Sequence, residues 1–402
     1  MLARVGLFAA MLAAAGVPLY IHLPRYVTVE MGLSLSTLGA VLLGIRIMDF
    51  AQDPALGWLT DRPSVKIKNW AIVGAVGLAA GFWGLFGVQP AASPVYWLVA
   101  VLIVIFSSYS LLTILFYAQG VRLAQSGGSD GHYRLAGARE TGTVLGILLA
   151  AILPSVLGYR GFAAVYAVLV FAAVVSMARV WSRDGAPEAP ASLGLRAVLR
   201  SKRMRWLLTL GLVNALPVAA TSTLFLFFVE DKLKLASAAG IFLLMFFAAA
   251  GLSAPIWAYL ARRWGAKRVL VGGMTLAIVS FVGVIGLSEG ATIGFGVVCV
   301  GSGMALGADM VLLPALLSVA LDQEELEGGA GFGMWSLVTK LSLAVVAAVL
   351  LPLLEQSGFV PGKENDANAL QALTFGYAVL PCLLKVAALF LVLALPRSVR
   401  GT

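Results

Sequence analysis

Apolar stretches of about 20 residues recur along this whole chain, and each is long enough, as an α-helix, to cross a hydrocarbon layer about 30 Å thick. Twelve are read, at approximately 3–28, 36–59, 70–88, 95–119, 138–157, 161–181, 205–230, 237–260, 269–288, 291–320, 329–354 and 370–396. Within a bilayer a helix satisfies each backbone N–H and C=O inside its own segment. The 402 residues are 60% hydrophobic and 12% charged, whereas soluble domains are roughly half apolar and a quarter charged. The expected fold class is therefore an all-α membrane protein with twelve transmembrane helices, and the lipid bilayer is its first partner.

The opening MLARVGLFAAMLAAAG has the Arg4, apolar core and small residues of a signal peptide. Its apolar run continues through VPLYIHLP to a spanning length, so it is read as the first helix. A net charge of +9 invites a nucleic-acid partner, but the placement of the charges argues for none. With the N-terminus inside, 20 of the 28 Lys and Arg fall at the cytoplasmic face. Five fall outside (Arg25, Arg160, Lys232, Lys234, Lys363) and three within spans (Arg46, Lys340, Lys385). This is the positive-inside pattern, which predicts a multi-pass protein of the cytoplasmic (inner) membrane with both termini in the cytoplasm. Lys385 is expected to face the bundle or the inner leaflet. Cys299 and Cys382 lie inside predicted helices and read as apolar filler rather than as a disulfide framework.

The longest polar segment, SRDGAPEAPASLGLRAVLRSKRMR at 182–205, reads as a cytoplasmic linker between an N-terminal six-helix half (1–181) and a C-terminal one (206–402). The halves echo each other: GWLTDRPSVKIK (57–68) follows the second span and IWAYLARRWGAKR (256–268) the eighth, with Trp58 and Trp257 offset by 199 residues. Two pseudo-symmetric halves around a midplane site are how many secondary carriers are built. No GxxxxGK[ST] loop is present, and no soluble segment is large enough to hydrolyse ATP. Transport by such a chain would run on an ion gradient.

Within the second span, GIRIMDFAQDPALGWLTDR (44–62), Arg46, Asp49 and Asp53 fall at i, i+3 and i+7 and so share one helix face. A lone charge at the bilayer centre costs about 2.5–3.5 kcal/mol on insertion scales, so such a face is expected to look into a polar cavity or an ion site. Lys340, in GMWSLVTKLSLAVVAAVLLP, stands deep in its span and is the expected second balancing cation. Two carboxylates against Arg46 and Lys340 make a nearly neutral group that can exchange a bound cation for an internal pairing. A proton would require carboxylates whose ionised form burial disfavours, and Na⁺ would require further oxygens, for which Gln52, Ser110 and Thr113 are the candidates. A salt-bridge network that only fixes helix packing is the alternative.

The stretch GLSLSTLGAVLLGIRIMDFAQDPALGWLTDR resembles the signature of the melibiose-carrier family, the glycoside-pentoside-hexuronide cation symporters of the major facilitator superfamily. The segment 227–270 is similar to that family's seventh and eighth helices, and 328–359 to its eleventh. The resemblance implies a major facilitator fold, cation-site carboxylates at Asp49 and Asp53 supported by Arg46, and Lys340 as the helix-eleven lysine beside them. It places Gln52 where sugar carriers often have Asn, and Arg139, in YRLAGARETG, where an Arg opens helix five. Sugar-carrying members hold hydroxyls with one carboxylate in helix one and another in helix four, and those positions fall here on Ala13 and Thr113. Without them a pyranoside forfeits charge-assisted hydrogen bonds worth about 1.5–3 kcal/mol each.

Helix one offers instead Tyr20, His22 and Tyr26, helix four Tyr109, Phe116, Tyr117 and Gln119, and helix eleven Trp335, a set that could line an amphipathic cavity. Ordinary packing or an interfacial belt is the plain alternative for the aromatics, and His22 reads either as a proton relay or as a capped interfacial histidine. The expected substrate-binding set is Tyr20, His22, Tyr109, Tyr117, Gln119, Arg139 and Trp335. The expected function is H⁺- or Na⁺-coupled symport by a monomer, with no cofactor and no metal beyond a coupling Na⁺ at Asp49 and Asp53. An amphiphilic or lipid-like solute is favoured slightly over a sugar. Two readings of other classes stand beside it: a membrane enzyme, for which no nucleophile and base or HExxH motif is found, and a non-transporting sensor or assembly factor on a carrier scaffold.

Overall fold

The computed structural model describes the chain apart from residues 62–66, 90–92, 126–127, 179, 182–193, 325, 327 and 395–402. At 51, 54, 57–61, 117–125, 128–137, 140, 194–196 and 328–330 it describes the backbone alone. The described residues form α1 (Leu2–Glu30), α2 (Leu35–Asp61), α3 (Ile67–Phe86), α4 (Pro94–Gln125), α5 (Gly128–Met177) and a short α6 (Gly194–Arg200). After these come α7 (Lys202–Lys232), α8 (Ala236–Trp264), α9 (Ala266–Val282), α10 (Thr292–Gln323), α11 (Gly328–Gln356) and α12 (Ala367–Leu393). Nine helical segments among the described residues are long and apolar enough to cross a membrane, so the protein is multi-pass. Large apolar side chains such as Leu252 and Ile293 are 76% and 85% exposed, which suits a lipid-facing surface.

The fifth and sixth apolar runs of the sequence, together labelled α5, are two helices that meet at Gly158. The φ of 68° and ψ of 172° there lie outside any helix and in a region that glycine alone enters readily. The segment read as a linker is itself partly helical. It carries α6, and Ser201 then caps α7 by accepting from the Met204 N–H at 3.2 Å.

Contacts divide the chain into two compact units, Met1–Leu23 with Val41–Glu188, and Pro24–Ala40 with Ala189–Thr402. In the first unit α1 runs along α5, and α3 packs on α4 and α5. The approach of α1 to α5 is so close that a Cβ on Gly142 would lie 2.0 Å from the Gly6 carbonyl oxygen, and one on Gly146 2.1 Å from that of Ala10. Small residues at such spacing let helices meet backbone to backbone where lipid offers no hydrophobic drive between them. Phe82, Phe86, Phe162 and Tyr166 fill the space between α3 and the later part of α5, and the Tyr166 hydroxyl donates to the Met11 carbonyl at 3.1 Å.

Partners repeat in the second unit, where α7 packs on α11 and α12, and α9 on α10 and α12. Local backbone repeats as well. Met31 and Leu33 donate to Tyr26 and Val27 after a π-helical turn at Tyr26–Glu30; Leu233 and Leu235 donate to Phe228 and Val229 after one at Phe228–Lys232. Gly32 (φ 69°) and Lys234 (φ 57°) occupy the same left-handed position in the two copies. The shared offset of 202 residues lies close to the 199 between Trp58 and Trp257. Pro24–Ala40 joins the second unit because its groups find partners there. Arg25 pairs with Glu230, the Ser36 N–H donates to Glu355 at 2.6 Å, and Gly39 leaves no room for a Cβ beside the Ala347 carbonyl.

Candidate functional site

Arg46 and Asp49 stand one turn apart on α2, and their side chains are 8% and 3% exposed. The Arg46 guanidinium donates to Asp49 Oδ2 at 2.9 Å through one nitrogen and to the Tyr20 hydroxyl of α1 at 3.1 Å through another. Its carbon lies 4.5 Å from the centre of the Phe106 ring on α4 and 5.4 Å from that of Tyr20. A planar cation held by a carboxylate, a phenol and an aromatic face has every means of tolerating burial that a guanidinium can use. Three helices of the first unit thus converge on one charge.

Beside this pair Ser107 of α4 donates to Gln52 Oε1 at 2.7 Å. Asp53, one turn beyond Asp49, is half-buried on the same helix. Ser110 is buried on α4, and Thr113 is half-buried one turn further along. The i, i+3, i+7 spacing on α2 puts both carboxylates on the face that carries Arg46. On α4, Phe106, Ser110 and Thr113 recur at the same helical period. Such a set supplies two carboxylates, an amide and hydroxyls within one unit, the ligand types that a proton or a hard monovalent cation uses.

The other expected residues are more scattered. His22, buried on α1, packs edge-on against the Tyr159 ring at 5.7 Å, and Tyr159 stacks on Phe86 at 5.2 Å. His22 lies two positions after Tyr20 in a π-helical turn, so the two point to nearly opposite sides of α1. Tyr109 is half-buried on α4 and Arg139 half-buried on α5. The side chains of Tyr117 and Gln119 lie outside the described residues. Trp335 and Lys340 are half-buried on α11 in the second unit, where the Trp335 ring lies on Gly211 of α7, leaving a Cβ there only 2.5 Å from it.

Two features escaped the sequence reading. Phe106 and Ser107 contribute a ring face and a hydroxyl that only their placement opposite α2 reveals. In the second unit Lys385 of α12 forms a buried ion pair with Asp309 of α10, and Asn214 of α7 bridges the two. An acid inside GMALGADMVLLPALLS was a visible signal, by the same argument that singled out Asp49.

Membrane-crossing helices in repeated arrangements, with charges buried and paired inside them, have the construction of a secondary transporter. The chain belongs to the MFS/sugar transport protein family, whose model matches residues 3–396. Among solved structures, a point mutant of the nucleoside transporter NupG superposes with a TM-score of 0.78 at 15% identity, over 98% of this chain and 100% of that one. A bacterial homolog of the human lysosomal transporter Spinster gives 0.69 at 13% identity, over 100% and 98%. A POT family transporter in complex with 5-aminolevulinic acid gives 0.69 at 14%, over 98% and 96%. No curated protein matches the chain.

Proposed function

We propose that this transporter is a cation-coupled symporter in which Asp49 and Asp53 bind H⁺ or Na⁺ and Arg46 biases the carboxylates when the cation is absent. The observation that carries this reading is the buried Arg46–Asp49 pair held by Tyr20 and Phe106 in line with Asp53 on one face of α2. A cation arriving at Asp49 competes with the guanidinium for the same oxygen, and Arg46 has the Tyr20 hydroxyl and two ring faces to retain it. Loaded and empty carriers then differ in electrostatics, which is the requirement for a cation to shift a conformational equilibrium. Lys340 is assigned as the second balancing charge, and the resemblance to melibiose-type carriers supports the assignment.

An amphiphilic or lipid-like solute is the favoured substrate class. Ala13 and Thr113 supply no carboxylates to grip a ring of hydroxyls, while Tyr20, Tyr109 and the neighbouring rings supply apolar surface. A sugar is the second reading, favoured by the description of the family to which the chain belongs; nucleosides enter the test because NupG is described as transporting them. The carrier acts in the cytoplasmic membrane as a monomer.

The test is uptake into proteoliposomes under an imposed H⁺ or Na⁺ gradient, compared with counterflow exchange at equal concentrations. Asp49→Asn and Asp53→Asn are expected to lose gradient-driven accumulation and keep exchange. Full accumulation by either variant would remove the assignment. No flux of any solute with an intact cation response would favour the sensor reading.

A further inference from the structure

A second charged group lies in the C-terminal unit, and the reading above makes no use of it. Lys385, Asp309 and Asn214 are 4%, 6% and 4% exposed. Lys385 Nζ donates to Asp309 Oδ2 and, at 2.7 Å, to Asn214 Oδ1. The Asn214 amide nitrogen donates to the same Asp309 Oδ2 at 3.0 Å. Both hydrogen bonds to the carboxylate therefore fall on Oδ2. The other carboxylate oxygen, Asp309 Oδ1, is buried and has no hydrogen-bond partner among the described residues. A buried carboxylate oxygen left in that state loses its hydration without compensation, which a merely structural ion pair would be expected to avoid.

Asp309 and Lys385 line a cavity between α7, α8, α9, α10 and α12, whose walls include Thr221, Phe246, Phe281 and Pro381. Counted as space for the centres of water molecules, it measures about 40 Å³, enough for a few waters and too little for an organic solute. A metal ion would require about six oxygens. The cavity and cluster bring only those of Asp309, Asn214, Thr221 and Ser302, with an ammonium already among them. Around the cavity α12 supplies Lys385 and the Cys382 thiol, α7 the neutral Thr221, and α8 and α9 only apolar side chains. The elements that also pack on α10 therefore add no further charge to it; α11 lines none of the cavity.

We propose that Asp309 is a proton-binding site of the C-terminal unit, loaded at Oδ1 through water in this cavity while Asn214 keeps hold of Lys385. The step is a simple transfer. An O–H bond forms at Oδ1, the donor hydronium is left as water, and the cluster passes from neutral to singly positive. Asn214 makes this tolerable because its carbonyl still accepts from Lys385 and its amide N–H still faces Oδ2. The site is separate from the carboxylates of α2 and stands whether or not those bind the coupling ion.

The test is infrared difference spectroscopy of the full-length protein in lipid vesicles as the pH is stepped from neutral to acid. It is run on the wild type, on D49N/D53N, and on each with Asp309→Asn added. The proposal expects a carboxylic-acid carbonyl band that persists in D49N/D53N and is lost with Asp309→Asn. Spectra that superimpose with and without Asp309→Asn would overturn it, leaving the pair as a clasp between helices. Because Asp309→Asn removes the counter-ion of a buried lysine, Lys385→Gln is measured alongside. It keeps the carboxyl and removes the cation, so the band is expected to survive to higher pH, and an unmoved titration would equally overturn the proposal.

Discussion

Arg46 and Asp49 make the sharpest quantitative test, because each is buried and each is the other's counter-charge. With a nitrogen to oxygen distance of 2.9 Å the charge centres lie about 4 Å apart, where two unit charges attract by about 4 kcal/mol at an effective dielectric near 20. That agrees with the roughly 3–5 kcal/mol lost when one member of a buried pair is removed. Arg46→Gln and Asp49→Asn are each expected to destabilise the purified protein by about that amount. Each half of the chain has the size of a domain for which 1 kcal/mol shifts the midpoint by roughly 2–4 °C, so the predicted fall is on the order of ten degrees.

The double variant R46Q/D49N strands no charge and should recover most of the loss. About 1–2 kcal/mol should remain missing, because the guanidinium also stacks on Phe106 and that contact is worth about 0.5–2 kcal/mol. Thermal melting in detergent across the four proteins gives the coupling directly. Single variants melting within a degree or two of wild type would refute the reasoning, as would a double variant whose loss equals the sum of the singles.

Three further outcomes follow from contacts inside each unit. Gly142→Val puts a branched side chain where even a Cβ meets the Gly6 carbonyl at 2.0 Å, so α1 and α5 must part. A stability loss of at least the 1–3 kcal/mol typical of overpacking is expected, and a wild-type melting curve would contradict the close crossing. Glu230→Gln weakens the charge-assisted bond from Arg25 that ties Pro24–Ala40 to α7; the midpoint should fall modestly and the exchanged pair R25E/E230R should restore part of it. Ser107→Ala leaves Gln52 Oε1 without its donor; a change in the concentration of cation needed for half-maximal stabilisation, with little change in fold, is the expected result in a thermal-shift titration.

Much of the architecture was legible because a bilayer permits so few solutions. Uninterrupted apolar length located the helices, and the spacing of Arg46, Asp49 and Asp53 placed three charges on one face before any partner was known. Sequence could not say what lies opposite that face. Phe106 and Ser107 are unremarkable residues in an apolar run, and they matter only because α4 sets them against α2. Gly158 sits between two runs read as separate helices, and its non-helical backbone is the break between them. Arg25 and Ser36 find their partners, Glu230 and Glu355, 205 and 319 residues along the chain, a separation no local pattern spans. His22 stood equally for a relay or a packed ring in the sequence, and its neighbour proves to be Tyr159. Lys385 carried no role because its counter-ion, Asp309, is 76 residues away in sequence and on another helix.

The central claim is that a coupling cation at Asp49 and Asp53 governs binding of an organic solute. The most direct measurement is the melting midpoint of the purified protein against one panel: sugars, glycosides, nucleosides, lysophospholipids and fatty acids, each at two pH values with and without Na⁺. A ligand that binds the folded state raises the midpoint by mass action. The account predicts a shift with the amphiphiles that grows with Na⁺ or with protons, and that loses this dependence in D49N/D53N. A shift with any ligand that is indifferent to both cations, and equal in D49N/D53N and wild type, would contradict it.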